Sequence, residues 1–236
     1  LYGQRGYVIK GQEHAKGSSK GDLKEFFHVG NPVISNPKNV WPIEVINFEK
    51  IGTEAYLTLE SIGLTILESI AIYLGLEKKY FTDKVKGGES IMRSIHYYPL
   101  NENDVQGGAV RAAAHGDINL ITLLMGASAD GLEIFTKDKK WIPIISEPDQ
   151  LVINVGDMME RLTNKRLMST VHRVVNPDNS KLNTSRYSIP FFMHPKPHMD
   201  LSCLEGCVDK DNPKSFDDTT AGEFLEERLK EIGLKK

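Results

Sequence analysis

The sequence predicts a mainly β protein with flanking helices, its strands curled into a sandwich or barrel-like roll. Two observations carry that reading. Between residues 90 and 194, eight short apolar or alternating runs follow one another, most of them separated by turn-prone residues. Such a density of strands belongs to sandwiches and rolls. On either side of this stretch the apolar spacing changes to three or four residues, which is helix spacing. The 236 residues suffice for one large core. With 40% hydrophobic and 26% charged residues the composition is globular and not that of a disordered chain. A formal charge of −3 argues against a chain-wide nucleic-acid surface. No uninterrupted apolar run reaches the ~20 residues that a membrane helix needs.

Taken in order, residues 1–46 read as irregular. Gly and polar residues cluster at 16–21, and Pro32, Pro37 and Pro42 break any helix. An apolar patch at residues 23–29 is expected to dock on the rest. A long helix follows. Phe48, Ile51, Ala55, Leu59, Ile62, Ile66, Ile70 and Tyr73 form the apolar face expected to be buried, and Gly75 is the expected stop. The strands are predicted at 92–98, 109–114, 120–125, 132–135, 141–145, 151–155, 170–175 and 186–192. Residues 137–140 read as an exposed hairpin tip. The tail is helical again over 219–234, with Phe224, Leu225, Leu229 and Ile232 on one stripe. The units expected are therefore 1–88, an N-terminal region with the scaffold helix, 89–200, the roll, and 201–236, the tail.

Two cysteines, Cys203 and Cys207, give no disulfide framework and lack partners at zinc spacing. A reducing, cytoplasmic compartment is expected. The chain starts at Leu1 without a basic-then-apolar leader, and reads as a fragment or a processed chain.

The chemistry is sought among seven histidines. His115-Gly116-Asp117 ends a predicted strand, where alternate side chains project to one side, so an imidazole and a carboxylate converge. The pattern alone is weak, because about one His-x-acid pair is expected by chance from this composition. The chain holds a second, His198-Met199-Asp200. Only the first is followed by another histidine on an apolar strand, His172. The second pair lies beyond the last strand and reads as a surface turn. Two imidazoles and one carboxylate suit a borderline divalent metal and are the face used by non-haem Fe(II) oxygenases. The alternative is a buried histidine satisfied within the core. Fourteen residues after His172, Arg186 and Ser188 alternate on one strand, a guanidinium and a hydroxyl able to receive a carboxylate. The alternative there is a strand-edge arginine meeting solvent.

From about residue 89 to 194 the sequence resembles the Fe(II)- and 2-oxoglutarate-dependent dioxygenases of the isopenicillin-N-synthase-like group. The segments that carry the resemblance are Ile95-His96-Tyr97-Tyr98-Pro99, Arg111-Ala112-Ala113-Ala114-His115-Gly116-Asp117, Leu120-Ile121-Thr122-Leu123-Leu124, Trp141-Ile142-Pro143, Val155-Gly156-Asp157-Met158-Met159-Glu160-Arg161, Ser169-Thr170-Val171-His172-Arg173-Val174 and Arg186-Tyr187-Ser188. The resemblance implies a distorted jelly roll, or double-stranded β-helix, with Fe(II) inside its open end. It makes His115, Asp117 and His172 the iron ligands. Arg186 and Ser188 hold the distal carboxylate of the co-substrate 2-oxoglutarate, Tyr98 helps bind it, and Phe192 lines the substrate chamber. Arg111 supports the site, and Gly156-Asp157 is a structural turn. Gly116 stands where plant members commonly have Thr, a middle position expected to point away from iron. The family's N-terminal strand and helix are expected to precede Leu1.

The activity implied is oxidation of a small organic molecule with O2 and 2-oxoglutarate, giving succinate and CO2. Hydroxylation is the default outcome, with desaturation or cyclisation on the same residues. No nucleic-acid or membrane partner is expected. The rivals are a same-fold Fe(II) oxidase that takes no 2-oxoglutarate and a catalytically silent jelly-roll binding module. A zinc hydrolase is more distant, since no separate general base is evident.

Overall fold

The fold comes from a computed structural model of the chain. It describes residues 4–13, 21–34, 37–101, 104, 110–145, 147, 149–232 and 234. The polar cluster at 16–20, the Gly107-Gly108 turn and Ala109 lie outside them. Among the described residues ten strands build two antiparallel sheets. They are β1 (Gly6–Val8), β2 (Lys24–Gly30), β3 (Ile91–Tyr97), β4 (Ala112–His115), β5 (Ile121–Met125), β6 (Leu132–Phe135), β7 (Trp141–Pro143), β8 (Leu151–Val155), β9 (His172–Val174) and β10 (Arg186–Met193). The larger sheet has the order β1-β2-β3-β10-β5-β8 and the smaller β4-β9-β6-β7. Non-sequential neighbours such as β3 and β10 mark the crossovers of a jelly roll, and the protein is a double-stranded β-helix with few helices.

The N-terminal region departs from the irregular structure expected of it. β1 and β2 extend the larger sheet, with Phe26 opposite Ile95 and Val29 opposite Met92. The strand at 24–30 was hidden because it does not alternate. Phe26, His28, Val29 and Gly30 are all buried, as happens where both faces of a strand are covered.

The scaffold helix α1 (Phe48–Tyr73) has the expected bounds, and Gly75 follows it with φ 73°. Its buried stripe is the expected one in part: Leu59 is buried and Phe48, Ala55, Ile66 and Ile70 pack against the core. Gly52, Tyr56, Leu59, Gly63, Leu67 and Ala71 face the core, whereas Ile51, Ile62 and Tyr73 are exposed. The helix is apolar on several sides, and close packing chose the side with small residues. A Cβ at Gly63 would lie 1.9 Å from Met193 Sδ and 3.3 Å from a Leu123 methyl. Tyr56 meets Phe191 edge-on at 4.9 Å between ring centroids and donates its hydroxyl to the Ser90 carbonyl at 3.1 Å. Each such large side chain contributes roughly 1.5–3 kcal/mol on burial. By length and composition α1 could cross a membrane; here it covers the outer face of the larger sheet through β10, β2 and β5.

Among the described residues three shorter helices follow: α2 (Thr82–Val85), α3 (Asp157–Leu162) and α4 (Ala221–Glu231). α4 opens with a capping box between Thr220 and Glu223, and buries Ala221, Phe224 and Leu229, close to the stripe expected of the tail. The 137–140 segment is the tip of the β6–β7 hairpin, with Lys139 at φ 59°.

Candidate active site

β4 and β9 bring the three candidate ligands together. His115 and His172 are ladder partners, with ring centroids 4.4 Å apart. Asp117 lies two residues past His115, with Oδ1 3.9 Å from His172 Nε2. One donor atom from each residue lies within 4.8 Å of the others. His115 Nδ1 is 2.7 Å from the Ala113 carbonyl and His172 Nδ1 is 3.2 Å from that of Thr170. A carbonyl only accepts, so His115 Nδ1 carries the proton and its Nε2 keeps a free lone pair, whereas His172 Nδ1 also lies 3.3 Å from the Asn154 amide nitrogen. Asn154 Nδ2 donates to Asp117 Oδ2 at 2.8 Å, which leaves Oδ1 for a metal.

The protonation states suit ligation. Burial, with His172 and Lys24 nearby, pushes the His115 pKa down to about 4, so the imidazole is neutral at pH 7. Burial opposes ionisation of Asp117, but His172, His115 and the Asn154 amide outweigh it and hold the carboxyl below its usual range. Two imidazoles and one carboxylate on one face, with Nδ1 of His115 and Oδ2 of Asp117 tied to other partners, fit a divalent iron.

The triad stands where two cavities meet, since His115, Asp117 and Phe192 line both. One, of about 300 Å3, runs between the sheets to Arg186 and Ser188. Arg186 is 1% exposed. Its Nε donates to the Ala129 and Asp130 carbonyls at 3.0 and 3.2 Å, and Nη1 reaches Ser188 Oγ at 3.4 Å. Arg111, also buried, donates to the Thr184 carbonyl at 2.6 Å. Among the described residues neither guanidinium has a carboxylate within ion-pair distance. Burial lowers the pKa values of both, and the charge of Arg186 lowers that of Arg111 further. The far end of this cavity is therefore built for an anion.

Tyr98 is not part of it. Its hydroxyl donates to Glu25, as does that of Tyr7, and it lines neither cavity. Tyr97 lines the cavity instead, with Arg186 Cζ 5.0 Å from its ring centroid. The register explains the change: Arg186 is the ladder partner of Tyr97, so those two side chains share a face and the next residue takes the other. Phe192 sits where the cavities join, its ring centroid 5.1 Å from Arg93 Cζ.

Several site residues carried no signal in the sequence reading. Asn154 lay within an apolar strand, where one amide among aliphatics is the only hint. Glu13, Asp22, Lys24, His28 and Arg93 line the second cavity but come from segments read as loop or strand without chemistry. Gly116 points away from the triad, and a Cβ there would lie 2.9 Å from Asp157 Oδ1. His198 and Asp200 are exposed, and Asp200 accepts from Ser202 N at 2.8 Å, as suits a surface turn.

The family profile described as the 2OG-Fe(II) oxygenase superfamily matches residues 88–195. A 2-oxoglutarate-Fe(II) type oxidoreductase, ppzD of Metarhizium rileyi, is 30% identical over 95% of this chain and 69% of its own length. A 2OG-Fe(II) oxygenase family protein of Caulobacter crescentus superposes with a TM-score of 0.85 at 44% identity, over 98% of this chain and 76% of that one. A full-length Neurospora crassa protein in complex with alpha-KG gives a TM-score of 0.85 at 27% identity, over 97% of this chain and 76% of that one. The chain belongs to the 2OG-Fe(II) oxygenase superfamily. It spans from 52% to 74% of the length of curated relatives that it matches.

Proposed function

We propose that this chain is the catalytic part of an Fe(II)- and 2-oxoglutarate-dependent oxygenase. In this reading it couples oxidative decarboxylation of 2-oxoglutarate, to succinate and CO2, with hydroxylation of a small organic molecule by O2. The observation that carries the reading is the arrangement around the larger cavity. A metal-ready triad closes one end, and a buried arginine without a carboxylate partner closes the other. The Neurospora crassa relative, crystallised with alpha-KG, supports it.

His115, Asp117 and His172 would hold the iron, which supplies O2 activation when bound. The residues divide the remaining work. His115 and Asp117 line both cavities and His172 lines the larger one, so an ion held by them would be reached from both. Arg186 and Ser188 receive the distal carboxylate of 2-oxoglutarate and fix its keto-acid end toward the triad. Ile134, Leu124 and Val174 along the cavity wall exclude water and strengthen that ion pair. The two cysteines are free, which supports a reducing, cytoplasmic setting.

The test is succinate formation with O2 uptake in the presence of Fe(II) and 2-oxoglutarate. Succinate is expected from the wild-type chain and absent with Asp117→Ala. Product formation from an organic substrate without succinate would favour the same-fold oxidase.

A further inference from the structure

The two cavities that meet at the triad differ in electrostatics. The larger ends on unpaired guanidinium charge. The smaller, of about 200 Å3, lies on the other side of His115 and Asp117, and its buried cations, Lys24 and Arg93, which also line the larger cavity, are already paired with carboxylates. Lys24 Nζ is 2.7 Å from both Glu13 Oε2 and Asp22 Oδ2. Arg93 grips Glu13 through both terminal nitrogens at 3.0 Å each, and its Nε donates to His28 Nε2 at 2.6 Å. Two carboxylates face two cations, all largely removed from water. Burial alone would neutralise Glu13, but Arg93 and Lys24 hold its carboxyl far below the usual range; likewise Glu13 and Asp22 hold Lys24 above its own against burial. The quartet is thus charged and balanced at neutral pH. At the rim Arg228 is tied to Glu231 at 2.9 Å.

The remaining wall is mostly apolar, through Ile91, Phe192, Leu225 and Leu229; Gln4 and Asp157 also reach it, and its most buried further polar group is His194. It is 7% exposed, and its Nδ1 has no hydrogen-bond partner among the described residues. Burial pushes its pKa down to about 4. A neutral imidazole offers one donor and one acceptor, and a buried ring nitrogen without a partner is ready for a ligand's polar atom.

An anionic head group in this chamber would be a third anion beside the balanced quartet, and a cationic one would meet Asp157, whose carboxyl is already pushed toward the neutral form by burial. An uncharged group can meet His194 and leave the quartet intact. We infer that this chamber selects a small uncharged prime substrate, apolar in body, with an amide, carbonyl or hydroxyl group that hydrogen-bonds His194, and that anions are directed to Arg186. This inference rests on the proposed function, since it takes the larger cavity to be filled by 2-oxoglutarate.

The test uses the full chain with Fe(II) and saturating 2-oxoglutarate under nitrogen, and calorimetric titration with three probes of one shape: benzamide, benzoate and benzamidine. Benzamide is expected to bind at least roughly tenfold more tightly than either charged probe. Equal or tighter binding of benzoate or benzamidine, or no binding of any probe, overturns the inference. His194→Ala is expected to weaken benzamide about fivefold with 2-oxoglutarate affinity unchanged; unchanged benzamide affinity removes His194 from the site. Glu13→Gln leaves the quartet net positive and is expected to raise benzoate affinity above that of benzamide. Asp22→Asn makes the same change of charge and replaces Glu13→Gln if that variant does not fold. Continued exclusion of benzoate from the folded variant overturns the charge argument. Failure of the wild-type chain to bind 2-oxoglutarate would instead refute the proposed function, and the probe ranking is then read on the metal-free chain.

Discussion

His115 and His172 stand directly opposite each other on the ladder between β4 and β9, their ring centroids 4.4 Å apart. Two imidazoles so close cannot both be protonated without strong repulsion. The fold keeps Nδ1 of each beside a carbonyl and places His172 Nε2 3.9 Å from Asp117 Oδ1. The metal site is therefore a property of two strand registers, and the Asn154 amide on a third strand completes it.

Removing that amide tests the orienting role. Asn154→Ala leaves Asp117 with the Thr122 side chain as its remaining hydrogen-bond partner and is expected to lower Fe(II) affinity by roughly 10-fold. Metal titration followed by tryptophan fluorescence checks it. Unchanged affinity would show that Asp117 needs no second partner.

Arg186 separates co-substrate binding from metal binding. Arg186→Ala is expected to raise the 2-oxoglutarate requirement by roughly 10–100-fold and to leave Fe(II) affinity within about twofold of the wild-type value. Arg186→Lys keeps a charge but not the fork, and is expected to recover only part of the loss. Equal co-substrate affinity in the alanine variant would remove Arg186 from the site.

Two adjacent tyrosines make a paired control. Tyr97→Phe is expected to weaken 2-oxoglutarate binding several-fold, at about 1 kcal/mol for a lost hydrogen bond, whereas Tyr98→Phe leaves it unchanged. The reverse ranking in co-substrate titrations would mean that β3 has the opposite facing.

The scaffold contact at Gly63 predicts a stability effect remote from the chemistry. A methyl group there meets Met193 and Leu123, both fully buried. Gly63→Ala is expected to cost about 1–3 kcal/mol, read as a lower Tm. An unchanged or higher Tm would mean that α1 does not pack so closely on β10.

His194 sets a pH dependence. Burial lowers its pKa from 6.5 to about 4, so between these values the unfolded chain binds more protons than the folded one. Its contribution to stability is full above pH 6.5, is lost as pH falls, and changes no further below about pH 4. Between pH 7 and pH 5 the loss is roughly 2 kcal/mol. Denaturant unfolding of wild type against His194→Gln at both pH values checks it: the variant is expected to show the smaller drop.

Much of this was legible in the sequence where a local pattern determines the structure. The bounds of α1, the tail stripe and most strands of the roll follow from spacing and turn residues alone. The His115-Gly116-Asp117 turn, His172 and the Arg186/Ser188 alternation were visible because strand periodicity places each group on one face. What pairing decides was not legible. Tyr97 and Tyr98 are equivalent until the β3–β10 register is known. The buried side of α1 depends on which face can come close, and its glycines won over Ile51 and Ile62. β2 shows no alternation because neighbours cover both its faces. The Glu13–Lys24–Arg93 cluster joins residues up to eighty positions apart, and no spacing rule points to such a meeting.

The most direct test of the account is a crystal structure of the chain with Mn(II) and 2-oxoglutarate. The expected result is the metal on His115 Nε2, Asp117 Oδ1 and His172 Nε2, with the distal carboxylate of 2-oxoglutarate on Arg186 and Ser188. A metal bound elsewhere, or a co-substrate lying away from Arg186, would contradict it.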